Sequence, residues 1–212
     1  RYLIKRAKQK NKPYRKGDVH RMTDKDIYLW RTTIKTGSQD GKAFEFCLQN
    51  NILGVGWCLR NTDGIPYIPT SIEECEKKGR MQYDSCRGFV VSIHALKEMA
   101  VDDLIWTRHN GVYYLCRVLS TWKYSCDAAH IYEDVEFHEI GTVEMVPGRV
   151  VNSFRASAAL QRIKGDVPLK YSEYLYNTIT GTQFYPDCAV KKEEILDFLQ
   201  PEDVEEVASL YL

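Results

Sequence analysis

The chain lacks a Cys-x-x-Cys pair, an apolar run, a net charge and a recognisable catalytic signature, and each absence excludes something. Its seven cysteines, Cys47, Cys58, Cys75, Cys86, Cys116, Cys126 and Cys188, are odd in number and scattered. That pattern argues against a zinc knuckle or a disulfide framework and for reduced thiols in a cytoplasmic protein. No apolar stretch approaches the roughly 18 residues of a membrane helix, and the basic beginning has no apolar segment behind it, which excludes a secretory signal. The 29 Lys and Arg balance the 29 Asp and Glu, so bulk charge gives no argument for a polyanionic partner.

Catalytic signatures are equally scarce. There is no Gly-x-Ser-x-Gly elbow, no phosphate-binding P-loop and no His-x-Glu with paired cysteines. The five histidines, His20, His94, His109, His130 and His138, show no metal-ligand spacing; His130 and His138, flanking what reads as an acidic surface turn at Glu133-Asp134, come nearest. Pro186-Asp187 is followed only by Lys191-Lys192-Glu193-Glu194, which cannot place two metal-binding carboxylates and a lysine on adjacent strands as a metal-dependent nuclease requires. The expectation is a binding module with no catalysis, no metal and no cofactor of its own.

What the chain does have is aromatic side chains, charge asymmetry and strand signals. Aromatics make up 12%, with 14 tyrosines, a residue suited to strands and to surfaces that are apolar with a polar tip. Residues 1–21 carry Arg1, Lys5, Arg6, Lys8, Lys10, Lys12, Arg15, Lys16 and Arg21 against the single acid Asp18. With Pro13 and Gly17 interrupting them, residues 1–25 read as a basic flexible arm with a charge-driven attraction to phosphates.

The central stretch runs from Asp26 to Trp57. Ile27 to Ile34 is rich in β-branched and aromatic residues and reads as a strand; Ala43 to Asn51 reads as a short helix; Ile52-Leu53-Gly54-Val55-Gly56-Trp57 reads as a glycine-bounded strand closing on an indole. Gly-x-Gly before a tryptophan lets another group approach the backbone beside a flat aromatic wall. Further on, Thr70 or Ser71, followed by Glu73 and Glu74, predicts a helix start, with the helix ending near Gly79. Gly88 to Leu96 fits either a strand or a buried helix. Leu104 to Arg108 and Val112 to Val118, separated by Asn110-Gly111, predict a hairpin, and Val135 to Val143 another strand. Pro147 to Arg155 reads as a turn and strand, and Ser157 to Ile163 as a small-residue helix. The chain from Leu169 reads as helix, then turn-rich through Thr180-Gly181 and Tyr185-Pro186-Asp187, with a pair of amphipathic helices from Lys191 to Leu212 broken at Pro201. These elements predict an α+β fold built on a small curled antiparallel β-barrel with short helices. The expected organisation is an arm (1–25), the barrel (26–165) and a helical C-terminal extension (166–212).

Trp30-Arg31, Gly54-Val55-Gly56-Trp57, Asp103-Leu104-Ile105-Trp106-Thr107-Arg108, Gly111-Val112-Tyr113-Tyr114-Leu115, Arg117-Val118 and Trp122-Lys123-Tyr124, in that order, resemble PUA-like barrels of the EVE and YTH type. The resemblance is closer still to the N-terminal modules of bacterial restriction and phage-defence endonucleases. Asp102-Asp103 stands where those modules have Gly-Asp. It covers residues 27–155, and the tail from Leu199 resembles the helix leading into a nuclease domain. The resemblance implies a nucleic-acid reader, most directly of double-stranded DNA, that accepts one flipped, methylated base in an aromatic pocket and serves a fused or separate nuclease.

On that reading Trp30, Trp57 and Trp122, with Tyr124, are candidate pocket walls; Ser38, Asp40 and Asp63 are candidates to read the base edge, since carboxylates accept from exocyclic amines. Arg31, Arg60, Lys123, Arg155 and Arg162 are candidates for the phosphate backbone, and Trp106, mid-strand, is assigned to the core. Two alternatives stay open: a YTH-like reader of single-stranded RNA, and a protein-interaction module in which the tryptophans only fill the core.

Overall fold

β1 (Leu29–Thr32) is four residues long and buried throughout, and the rest of the sheet is assembled on it and on a long partner strand, β6. The computed structural model describes residues 26–34, 42–83, 86–126, 130–156, 158–186, 199 and 204–205. The basic arm, Ser38, Asp40 and most of the expected helices beyond Lys191 lie outside these residues. After β1 come α1 (Lys42–Asn50), β2 (Ile52–Gly56), α2 (Ile72–Gln82), α3 (Arg87–Glu98), β3 (Leu104–His109) and β4 (Val112–Val118). Then follow β5 (Lys123–Ser125), β6 (His130–Gly141), a 3-10 turn at Val143–Met145, α4 (Gly148–Ser153), β7 (Leu160–Ile163) and α5 (Asp166–Thr180).

The strands form one α+β sheet in the order β2-β6-β4-β3-β1-β7, with β5 also paired to β6. It is mixed, not purely antiparallel as expected. β1 runs parallel to β3, Leu29 opposite Leu104 and Arg31 opposite Trp106, because the intervening chain carries three helices and crosses back before β3 begins. The sheet curls into an open half-barrel. β6 pairs with β4 along its second half and with β2 and β5 along its first. Register shifts at Gly54/Gly56 and Tyr113/Tyr114, opposite the two ends of β6, add twist as bulges do.

Alternating side chains build one core on each face. Trp30, Ile105, Cys116, Val118, Ile131 and Val135 pack under α2 and α3, which contribute Cys75, Phe89, Ile93 and Leu96. Leu29, Leu104, Trp106 and Leu115 pack under α4 and α5, which contribute Val150 and Tyr176. Trp106 is fully buried, and its Nε1 donates to Ser172 Oγ at 2.9 Å. α5 is therefore pinned to the sheet, and Tyr185 just beyond it donates from its hydroxyl to the Asp102 carbonyl at 2.6 Å.

Several local expectations hold. Asn110 and Gly111 turn the β3–β4 hairpin with φ of 49° and 81°, the left-handed conformations such a two-residue turn needs. Ser71 Oγ accepts from Glu74 N at 3.1 Å and opens α2. The helix runs past Gly79, because that glycine is a packing site and not a stop: the Phe89 ring lies directly on it.

Three expectations are corrected. Pro147 to Arg155 is mainly helix, since Pro147 sits at its N-cap and Val150 and Phe154, four apart, both enter the second core. Residues 160–163 form a strand, not a helix, because pairing with β1 fills the sheet edge and overrides the preference of small residues for helix. Glu133-Asp134 is not a turn but mid-strand in β6, with Ile131, Glu133 and Val135 all facing inward.

A candidate base-binding site beside Trp57

The backbone leaves β2 through two successive left-handed residues, Gly56 at φ 77° and Trp57 at φ 71°. The first is free for glycine; the second is a real outlier for a bulky side chain, and such strain persists only where the surroundings over-determine it. They do so here. Gln82 donates to the Cys58 carbonyl at 2.7 Å and accepts from Arg60 N at 2.7 Å. The Tyr83 hydroxyl also donates to the Cys58 carbonyl. Leu59 N donates to the Tyr124 hydroxyl at 2.7 Å, and the Leu59 carbonyl accepts from Tyr67 N at 2.9 Å. Four side and main chains thus fix residues 58–60, and with them the direction of the indole.

The Trp57 ring stands edge-on to Tyr83 at 5.0 Å and to Phe89 at 5.6 Å between centroids. It passes close over Gly88, where a built Cβ would lie 3.5 Å from the indole. Trp57 is half-buried, yet its Nε1 is wholly enclosed and, among the described residues, has no hydrogen-bond acceptor. Trp122 and Tyr124 are half-buried against the same core cluster. Burial pushes the Tyr124 phenol up to about 12, so its hydroxyl stays neutral.

A second orphan faces that cluster. Glu133 is 1% exposed and sits opposite Leu53 in the β2–β6 pairing, between Ile131 and Val135 along the strand. Its Oε1 is enclosed without a hydrogen-bond partner among the described residues. Burial, and secondarily the Asp103 carboxylate, push its carboxyl up to about 8. At neutral pH it is a carboxylic acid, able both to donate and to accept. Glu133, Tyr83 and Phe89 were not foreseen; the available signal was an acid in the inward phase of an alternating run, masked by reading Glu133-Asp134 as a turn.

The remaining candidates divide. Trp30 is 1% exposed and enclosed in the core, with Nε1 donating to Asp103 Oδ2 at 2.7 Å. Asp63 is exposed, closing its own loop by accepting from Ile65 N at 3.0 Å. Arg60 is exposed and donates to the Gly64 carbonyl at 2.9 Å. Lys123 is paired with Asp134. These two basic groups lie on the Trp57 side of the sheet, beside β2 and β5. Arg31, Arg155 and Arg162 lie toward the other edge, on or next to β1 and β7. Arg31 is fully buried; Arg155 is exposed; Arg162 is exposed and lays its guanidinium 3.4 Å from the centre of the Tyr28 ring.

Among the described residues no three His, Cys, Asp or Glu side chains gather as metal ligands, and no helix is long and apolar enough to cross a membrane. The buried thiols are held protonated by burial, Cys75 as far as about 12, which removes their nucleophilicity at neutral pH. What the arrangement offers is aromatic edges and faces, a fixed N–H and a neutral carboxyl, all bordering one core. Compared with known proteins, the chain matches no family model, no curated protein and no solved structure.

Proposed function

We propose that the chain is a nucleic-acid-binding reader module with a PUA-like half-barrel of the EVE and YTH type. In this reading it takes one flipped, methylated base beside Trp57, from double-stranded DNA, and performs no chemistry on it. The observation that carries the reading is the enclosed, acceptor-less Nε1 of Trp57 on a ring that the backbone is strained to hold. A buried donor left unmade costs about 1–3 kcal/mol, and an acceptor on a base edge would return it once the indole turns outward. Stacking on Trp57, Trp122 or Tyr124 adds about 1–3 kcal/mol per base, enough to offset the few kcal/mol of extrusion.

A methyl group adds only about 1 kcal/mol by itself, so discrimination rests on the fit of the cage and on the polar contacts together. Arg60 and Lys123 then serve the strand entering beside β2 and β5, with the basic arm adding charge. The cutting activity such a reader serves belongs to a fused or partner nuclease in the cytoplasm.

The test is a binding titration with duplexes differing at one base: unmodified, N6-methyladenine or 5-methylcytosine. A preference of about tenfold or more for one modified duplex, abolished by Trp57→Ala, is the expected result. Equal affinity for all three would remove the base pocket. Stronger binding to the matching single-stranded RNA would move the assignment to an RNA reader.

A further inference from the structure

A second positively charged feature lies on the opposite face of the sheet, at the far end of the β3–β4 hairpin. Arg31 and Arg108 both stand over the Phe154 ring, with guanidinium carbons 5.8 Å and 5.0 Å from its centre. Among the described residues neither has a carboxylate partner. Arg31, fully buried, spends its N–H groups on neutral acceptors: the Ala158 carbonyl at 2.5 Å, the Ala156 carbonyl at 3.2 Å and Gln161 Oε1 at 2.7 Å. Its Nε is enclosed and unpaired. Arg108, exposed, makes one long bond of 3.3 Å to the Tyr113 hydroxyl. Burial, then the charge of Arg108, pull the Arg31 pKa down, as expected of two cations that face each other uncompensated.

Beside them opens a cavity of about 500 Å³ whose wall includes Arg108, His109, Asn110, Tyr113, Thr142 and Val151, with no acidic side chain in it. His109 is held in place by stacking on Phe44 at 4.6 Å and 8°. Arg108 in the cavity wall and Arg31 behind it, neither with a carboxylate partner among the described residues, make the local potential positive and suited to an anion; the nearest acid in sequence, Glu144, is held at the rim by the Thr142 hydroxyl. The cavity is larger than a carboxylate needs and suits a nucleotide, and the planar fork of arginine matches phosphate oxygens.

We infer that the hairpin-end cavity binds a phosphate group, of a free nucleotide or of a nucleic-acid strand, with Arg108 as its direct ligand and the buried Arg31 supplying fixed positive potential. This site is separate from the aromatic one and stands without it. It also transfers the phosphate contact from Arg31, which is enclosed, to Arg108, which is reachable.

Calorimetric titration of the full chain with inorganic phosphate and with AMP at low ionic strength tests the proposal. Arg108→Gln is expected to weaken both by at least tenfold. Arg108→Lys should retain much of the affinity, while Lys77→Gln, which removes an exposed cation on α2, should leave it unchanged; the lysine variant at 108 separates lost charge from lost folding. A short unmodified oligonucleotide distinguishes the source. If the site holds a strand, Arg108→Gln lowers oligonucleotide affinity and reduces the salt slope by about one; if it holds a free nucleotide, only AMP binding falls. No affinity for phosphate or AMP above that for chloride, or an equal loss in Lys77→Gln, overturns the assignment. Neither result bears on the modified-base preference, which is read from Trp57→Ala on duplexes.

Discussion

Trp30 Nε1 donates to Asp103 Oδ2 at 2.7 Å across 73 residues of sequence, and this bond fastens β1 to the start of β3. The same carboxylate accepts from Tyr28 N at 3.0 Å and from Ala100 N at 3.1 Å. One fully buried side chain therefore satisfies a buried indole and two partly buried main-chain donors.

Asp103→Ala is expected to destabilise the fold by about 3 kcal/mol or more, since each orphaned buried donor costs about 1–3 kcal/mol. Asp103→Asn, which keeps an acceptor oxygen, should cost less. Urea unfolding midpoints of the two variants provide the check, and equal midpoints for Asp103→Ala and the parent chain would refute the role.

Glu133 makes stability fall as pH rises. Its folded-state pKa, about 8, lies above the ordinary 4.5, so between those values the folded chain holds a proton that the unfolded chain has released. The stabilising contribution of the neutral acid is complete below about 4.5 and is lost as pH climbs through about 8, at up to about 1.4 kcal/mol per pH unit. Glu133→Gln removes this dependence. Denaturation at pH 5 and pH 8 should show the parent chain losing ground to the variant at the higher pH, and parallel curves would contradict it.

Gly79→Ala reverses the usual rule that alanine improves a helix. A Cβ at Gly79 would fall 1.9 Å from Phe89 Cζ, and that ring is fully enclosed. The roughly 1 kcal/mol of helix propensity gained is outweighed by overpacking of about 1–3 kcal/mol and by displacement of the Tyr83–Phe89–Trp57 contacts. A lower melting temperature is expected, together with a shift in Trp57 fluorescence.

Arg31→Lys keeps the charge and loses the fork. A single ammonium cannot reach Ala156, Ala158 and Gln161 together, so the loop between α4 and β7 loosens at a cost of about 1–2 kcal/mol. Faster amide exchange at residues 158–161, with β3 and β4 unchanged, is the signature to look for.

The legible parts of the fold were those decided within a few residues. Asn110-Gly111 demands left-handed backbone, and Ser71 with Glu74 demands a helix start; both are written locally. Residues 148–163 were misread because their elements are chosen by distant partners: Val150 and Phe154 by the core beneath Trp106, and Leu160 to Ile163 by β1. The parallel run of β1 beside β3 depends on a crossover no local signal specifies. Within the site, Trp30 and Trp57 look alike as letters beside β-rich residues. Only the Asp103 carboxylate, 73 positions away from Trp30, separates an enclosed indole from one with an unpaired N–H. Glu133 was hidden for the opposite reason, since acids in sequence suggest a solvated turn.

The position of β1 also sets an order of events during synthesis. Leu29 pairs with Leu104 on one side and with Ile163 on the other, and no nearer strand supports it. A growing chain can close the hairpin β3–β4 soon after it emerges, but it must carry Leu29 and Trp30 without a strand partner until β3 appears, and with one edge of β1 open until residues 160–163 have left the ribosome. Contacts so distant in sequence slow folding, and for that interval the apolar strand is open to chaperones or to another nascent copy.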